Sequence, residues 1–187
     1  MIALLLALAL QAPPVNQAAS ERMEKKIAGI LERSELPAGK RGGPVTLTIE
    51  EIDSFFAFSK VPKIPEGVSG IHFEIHPNKQ IGYAVVDFDK YKAASKRPVN
   101  PMVDLFVRGR RPIKAEASLA FPSDGVGAYH LDYVSLDTLT VQSGMIQFLL
   151  KWFVLPRYPK AEMDKPFQLP ANIRKVEIGE GKIIVYP

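Results

Sequence analysis

Apolar residues change their spacing along this chain, and the changes divide it into a helical opening, a strand-rich middle and a closing hairpin. Met23, Ile27, Ile30 and Leu31 fall at helical spacing, which predicts an amphipathic helix capped by Ser20 and ended by Pro37 and Gly39. Thr48-Ile49-Glu50-Glu51 reads as a capping box, in which hydroxyl and carboxylate satisfy each other's unpaired backbone amides. Ile52, Phe55 and Phe56 mark the buried face of the short helix that follows, ending near Phe58.

From residue 71 the period becomes two. Ile71, Phe73 and Ile75 alternate with His72, Glu74 and His76, which predicts a half-buried strand. A second strand is expected over residues 81–88, and a polar loop or short helical turn over 87–98. Val103, Leu105 and Val107 suggest a third strand, and residues 113–121 a long fourth. Ser123-Asp124-Gly125-Val126-Gly127 has the composition of a hairpin loop. On the return strand, residues 128–141, the alternation runs Tyr129, Leu131, Tyr133 and then shifts to Val134, Leu136. A one-residue shift of parity predicts a bulge or sharp bend.

Residues 145–155 then break the alternation: nine of these eleven residues are apolar, and the exceptions, Gln147 and Lys151, are four apart. A helix apolar almost all round must be enclosed. At about 16 Å it reaches only roughly half of a bilayer core, so it does not span one. The chain closes on a hairpin with Val176, Ile178, Ile183 and Val185 on either side of Gly179-Glu180-Gly181-Lys182. The expected fold is α+β: a long, strongly curved antiparallel β-meander wrapped around an apolar helix, with an amphipathic N-terminal helix pair.

The length of 187 residues and the 47% hydrophobic content suit a single domain, placed at residues 20–187. Residues 1–19 read as a signal-like apolar segment and linker, because residues 1–10 form an unbroken apolar run followed by small residues where a peptidase could cut. No Lys or Arg precedes that run. Export to the periplasm or cell envelope is the expectation. Cysteine is absent, which excludes disulfides and thiolate metal sites and argues against a lipoprotein anchor. The net charge of +4 is scattered; its densest group, Arg108, Arg110 and Arg111, lacks the interleaved aromatics of a nucleic-acid surface. A positive rim facing anionic lipid heads is an equally good use of those arginines.

Candidate chemistry is sparse. His72-x-Glu74-x-His76 would place three metal-ligand types on one strand face, but a closed site needs a fourth ligand and His130 is distant in sequence. There is no nucleophile elbow, and Gly42-Gly43 lacks the context of a phosphate loop. The expectation is a protein without catalytic residues, metal or cofactor. Large apolar side chains are plentiful: Phe73, Tyr83, Phe106, Leu119, Tyr129, Tyr133, Met145, Leu149, Trp152 and Phe153 are the candidates for lining a groove between sheet and helix. The competing reading is that they fill an ordinary core.

The order of these features resembles the bacterial exported members of the tubular lipid-binding (TULIP) superfamily. The likeness covers about residues 46–186 and rests on Leu47-Thr48-Ile49-Glu50-Glu51-Ile52, on Ile81-Gly82-Tyr83-Ala84-Val85-Val86-Asp87, and on the ending with Leu169-Pro170, Val176-Glu177-Ile178 and Gly181-Lys182-Ile183-Ile184-Val185. The resemblance implies a sheet curled around a long helix, a groove for lipid acyl chains, and no catalytic residues. It departs from the pattern in its first helix, which could plug or cover such a groove. Two functions follow as expectations: a non-catalytic carrier of a lipid or other apolar molecule, or a non-enzymatic subunit of a cell-envelope complex with a membrane-surface or protein partner.

Overall fold

The computed structural model describes residues 14–95, 108–141 and 162–187. The predicted strand at 103–107 and the apolar helix at 145–155 lie outside them, as do the signal-like run and the site candidates Phe106, Met145, Leu149, Trp152 and Phe153.

The chain opens with α1 (Gln17–Ser34), which starts earlier than its sequence suggests. Asn16, not Ser20, is the cap: its side-chain oxygen accepts from the Ala19 amide at 2.9 Å. Ser20 instead is buried inside the first turn. The reason is tertiary, since the Asn16 amide donates to Ser54 Oγ at 3.1 Å and its Nδ2 to Glu50 at 3.0 Å. β1 (Val45–Thr48) leads directly into α2 (Ile49–Phe58), and here the capping box forms as expected. Thr48 Oγ1 accepts from the Glu51 amide at 3.3 Å, and Glu51 Oε2 accepts from the Thr48 amide at 3.0 Å.

A long antiparallel ladder follows: β2 (Val68–His76), β3 (Lys79–Asp87), β4 (Arg110–Ser123), β5 (Val126–Leu136) and the short β6 (Leu139–Thr140), in that spatial order. Between β3 and β4 runs α3 (Phe88–Ser95), which buries Phe88. β7 (Phe167–Gln168) pairs with the start of β5. The closing hairpin, β8 (Lys175–Gly179) and β9 (Lys182–Tyr186), joins β1 in a separate three-stranded sheet of order β1-β9-β8. The architecture is therefore α+β with antiparallel sheets, and the parity shift on the return strand is a bulge. Glu116 sits opposite Tyr133 but Ala117 opposite Leu131, so Asp132 is the extra residue on β5.

Two glycines are required by backbone geometry. Gly181 (φ 63°) turns the closing hairpin and donates its amide to the Ile75 carbonyl at 2.8 Å while accepting from the Ile49 amide at 2.9 Å, so it pins hairpin, α2 and β2 together. Gly67 (φ 88°) lies so close to the end of β3 that a Cβ would meet the Asp87 carbonyl at 2.5 Å.

Burial is divided between two apolar clusters. The first gathers Met23 and Ile30 of α1, Ile52 and Phe55 of α2, Leu47, Val185 and Ile75. α1 thus covers α2 and the three-stranded sheet. The second gathers Val86, Phe88, Val134, Leu136 and Val141 at the other end of the long sheet. Among the described residues no helix is long and apolar enough to cross a membrane.

Candidate functional site

The four long strands present two chemically different faces, and strand parity with register assigns each residue to one of them. Phe73 pairs with Gly82, Gly82 with Ala115, Ala84 with Ile113, Gln80 with Ala117, Ala117 with Leu131, and Leu119 with Tyr129. Between Ile113 and Tyr129 this face is apolar apart from Gln80, and it continues at either end into the two buried clusters. Phe73 packs against the first cluster and Ala115 and Leu131 against the second, and between them Ala84, Ala117, Leu119 and Tyr129 are partly exposed and belong to neither. The middle of the strip is lined by Gly82, Ala84, Ala115 and Ala117, so it is shallow where a normal core would carry large side chains. Phe73 bounds one end, lying over Gly82 and packing against Phe56 with ring centres 5.3 Å apart. The Tyr129–Phe167 edge contact at 6.5 Å bounds the other.

The opposite face is mostly polar and charged, although it also carries Val85 and the buried Ile81. Tyr83 donates its hydroxyl to Glu74 at 2.9 Å, Lys114 and Lys79 both bridge Glu116 at 2.6 and 3.2 Å, and Lys114 lies 5.9 Å from the Tyr133 ring centre. Ser118 donates to the bulged Asp132 at 2.7 Å. Burial, followed by the hydrogen bond to Glu74, raises the Tyr83 phenol above its ordinary value. The Lys114 and Lys79 ammonium groups hold Glu116 below the usual carboxylate range.

The structure therefore separates the described candidates. Phe73, Leu119 and Tyr129 share the apolar face, whereas Tyr83 and Tyr133 lie on the charged one. The reason for Tyr133 is the bulge, which moves it out of phase with Tyr129 and Leu131. Tyr83 follows from the register, which pairs it with His72 and Lys114. The small residues of the strip carry no chemical signal of their own; what marks them is that Gly82 and Ala84, and Ala115 and Ala117, recur at period two on neighbouring strands.

One buried charged contact stands at the edge of this sheet. Asp53, in the middle of α2 and 1% exposed, accepts from the edge-strand amide of Phe73 at 3.0 Å and pairs with His72 Nδ1 at 2.5 Å. Burial pushes the Asp53 carboxyl up from its usual range, while His72 and the Phe73 amide pull it back. Because among the described residues β2 has β3 as its only ladder neighbour, its outer amides and carbonyls need other partners. Asp53 serves Phe73 and the Gly181 amide serves Ile75, so α2 and the closing hairpin seal that edge. The His72 ring stacks on Tyr83, with centres 5.8 Å apart. An aspartate holding a histidine is also the orienting half of a general-base pair, but the hydrogen bonds described for His72 include no hydroxyl nucleophile.

His72, Glu74 and His76 do share a strand face, yet they do not converge. His72 is turned to Asp53 and His76 to Glu180 at 2.7 Å, and Glu74 lies 4.0 Å from His76 while engaging Tyr83. Among the described residues no group of three or more metal-ligating side chains is close enough to hold an ion.

Comparison with known protein families finds no matching family model, and no curated protein matches the chain.

Proposed function

We propose that this chain is a non-catalytic, exported protein that binds or carries a lipid or another apolar molecule against the apolar face of its long sheet. The observation that carries the reading is the half-covered strip between two closed clusters, floored by small residues and bounded by Phe73 at one end and Tyr129 at the other. A floor of glycine and alanine leaves room for an acyl chain without opening the cores on either side. The resemblance of the element order to the exported tubular lipid-binding proteins supports the same reading. The ligand contacts proposed within the described residues are Phe73, Ala115, Ala117, Leu119 and Tyr129. Gentle organic extraction of the purified protein, followed by mass spectrometry, is expected to release a stoichiometric apolar molecule. Protein that is fully folded and free of any such molecule overturns the reading.

A second reading, a structural subunit of a cell-envelope complex, is favoured by Leu31 and Leu36, which stand 48% and 41% exposed on and just after the last turn of α1. Sequencing the N-terminus of the mature protein separates the two. A retained apolar run at residues 1–10 favours an anchored subunit, and its removal favours a soluble carrier.

A further inference from the structure

Among the described residues the most exposed large apolar side chain is not on the sheet but on the loop that follows α2. Val61 is 62% exposed and Phe58, at the last position of α2, is 45% exposed. Partial exposure of a phenylalanine and a valine three residues apart leaves apolar surface in water that burial in another phase would remove. The backbone beneath them is set by short local bonds. The Ser59 amide donates to Phe55 O at 3.0 Å, the Val61 amide to Ser59 Oγ at 3.0 Å, the Ile64 amide to Pro62 O at 2.8 Å and the Val68 amide to Pro65 O at 3.0 Å. Pro62 and Pro65 stiffen the loop further. Phe58 and Val61 are therefore held outward on a preformed tip, so little ordering entropy opposes their insertion into another phase.

Within residues 54–65 the charge has one sign, the exposed Glu66 lying just beyond. Lys60 and Lys63 are both exposed, and between residues 54 and 65 no acidic residue occurs; the nearest, Asp53 and Glu66, flank the stretch, and Asp53 is buried. Neither lysine makes an ion pair among the described residues, in contrast to Lys26, Lys79, Lys114 and Lys175, each of which bridges a glutamate. Two bulky apolar side chains flanked by two uncompensated ammonium groups on a rigid tip complement an interface that is apolar below and anionic above. We propose that residues 58–65 are a docking tip for the surface of an anionic lipid bilayer, with Phe58 and Val61 entering the acyl boundary and Lys60 and Lys63 pairing with lipid phosphates. The proposal stands on the loop alone and does not require a ligand on the sheet. Its position fits that function too, because Phe56, within two residues of the tip, packs on Phe73 at the end of the apolar strip.

Flotation with vesicles of phosphatidylcholine containing phosphatidylglycerol, and with phosphatidylcholine alone, tests it on the full chain. The native protein is expected to float with the anionic vesicles and much less with the neutral ones. The double variant Phe58→Ser/Val61→Ser should weaken binding by roughly tenfold or more. Lys60→Gln/Lys63→Gln should lose the anionic preference by about fivefold per lysine and lose its salt sensitivity. Thermal melts should be unchanged in the lysine variant, whose side chains are exposed, and fall by no more than a few degrees in the apolar one, because Phe58 is 45% and Val61 62% exposed. No vesicle binding by the native protein overturns the proposal. So does binding that survives Phe58→Ser/Val61→Ser, which would make the attraction purely electrostatic, and so does protection of the tip that appears only with a protein partner. Organic extraction of the same variants keeps the two ideas apart: loss of flotation with ligand retained tests the tip, whereas loss of ligand tests the strip.

Discussion

Asp53 is the residue on which the sheet edge depends. A carboxylate in the interior of α2 satisfies a strand amide and orients a histidine, a role that a hydrophobic side chain of equal size could not perform. Asp53→Ala is expected to lower stability by about 2–3 kcal/mol, because it leaves the Phe73 amide and the His72 ring without their buried acceptor; urea denaturation measures it. Asp53→Asn, which keeps an acceptor, should cost less. Glu51 shows the opposite electrostatic balance from Asp53. Burial raises its pKa, but the Lys26 ammonium at 2.7 Å and the Thr48 amide more than offset this, so the net shift is downward. A lowered carboxylate stabilises the fold above its unfolded pKa and loses that contribution as pH falls through the folded value. Melting temperature followed from neutral to acid pH should therefore drop less steeply in Glu51→Gln than in the native chain, and parallel curves would contradict the ion pair. Asp53 was hidden in the sequence, where an acid two positions after Glu51 reads as a solvated helix residue; only the packing of α2 across β2 buries it.

At the scale of elements, the segment after residue 161 is fastened to β5 by one titratable contact. His130 Nδ1 pairs with Asp164 at 2.5 Å, beside the Asp164 amide bond to Tyr129 O at 3.0 Å, and β7 then pairs with the start of β5. The Asp164 carboxylate raises the His130 pKa above its ordinary value. A raised imidazole contributes its tether fully below the unfolded pKa and releases it as pH rises through the folded value. Amide exchange of Asp164 and neighbouring residues, measured by hydrogen exchange, should speed up across that interval in the native chain and be insensitive to it in Asp164→Asn. The elements themselves were largely readable. Thr48 and Glu51 announce α2, the alternation of Ile71, Phe73 and Ile75 announces β2, and the parity change near Tyr133 announces the bulge. α1 begins earlier than Ser20 suggests because Asn16 finds partners on α2, a preference no local pattern encodes.

For the whole molecule, the arrangement of two closed clusters around a shallow strip makes a specific expectation about volume. Ala117→Phe fills the strip without entering either cluster, since Ala117 is partly exposed and pairs with Gln80 and Leu131. The variant should keep its melting temperature within a few degrees while its content of extractable apolar ligand falls several-fold. An equal fall in stability and ligand would place Ala117 in an ordinary core. Tyr83→Phe and Tyr133→Phe supply the contrast: their side chains lie on the charged face, so ligand content should be unchanged.

The sequence by itself determined α2 and its cap, the strands β2 to β4, the bulge of β5 and the closing hairpin, because each of these is written in spacing and in neighbouring residue types. It did not mark β1, β6 or β7, and it ran the return strand on to residue 141, where β5 ends at Leu136 and β6 is separate. It also determined that large apolar side chains are abundant enough to line a groove. Only the tertiary structure decided which of them share a face. Parity is a relative quantity, fixed by the register of β2, β3, β4 and β5 and reset by Asp132, and it is this that sends Phe73, Leu119 and Tyr129 to the apolar strip and Tyr83 and Tyr133 to the charged side. The floor of the strip was decided there as well: glycine and alanine say nothing alone, and become a shallow surface when four of them are brought side by side between two cores.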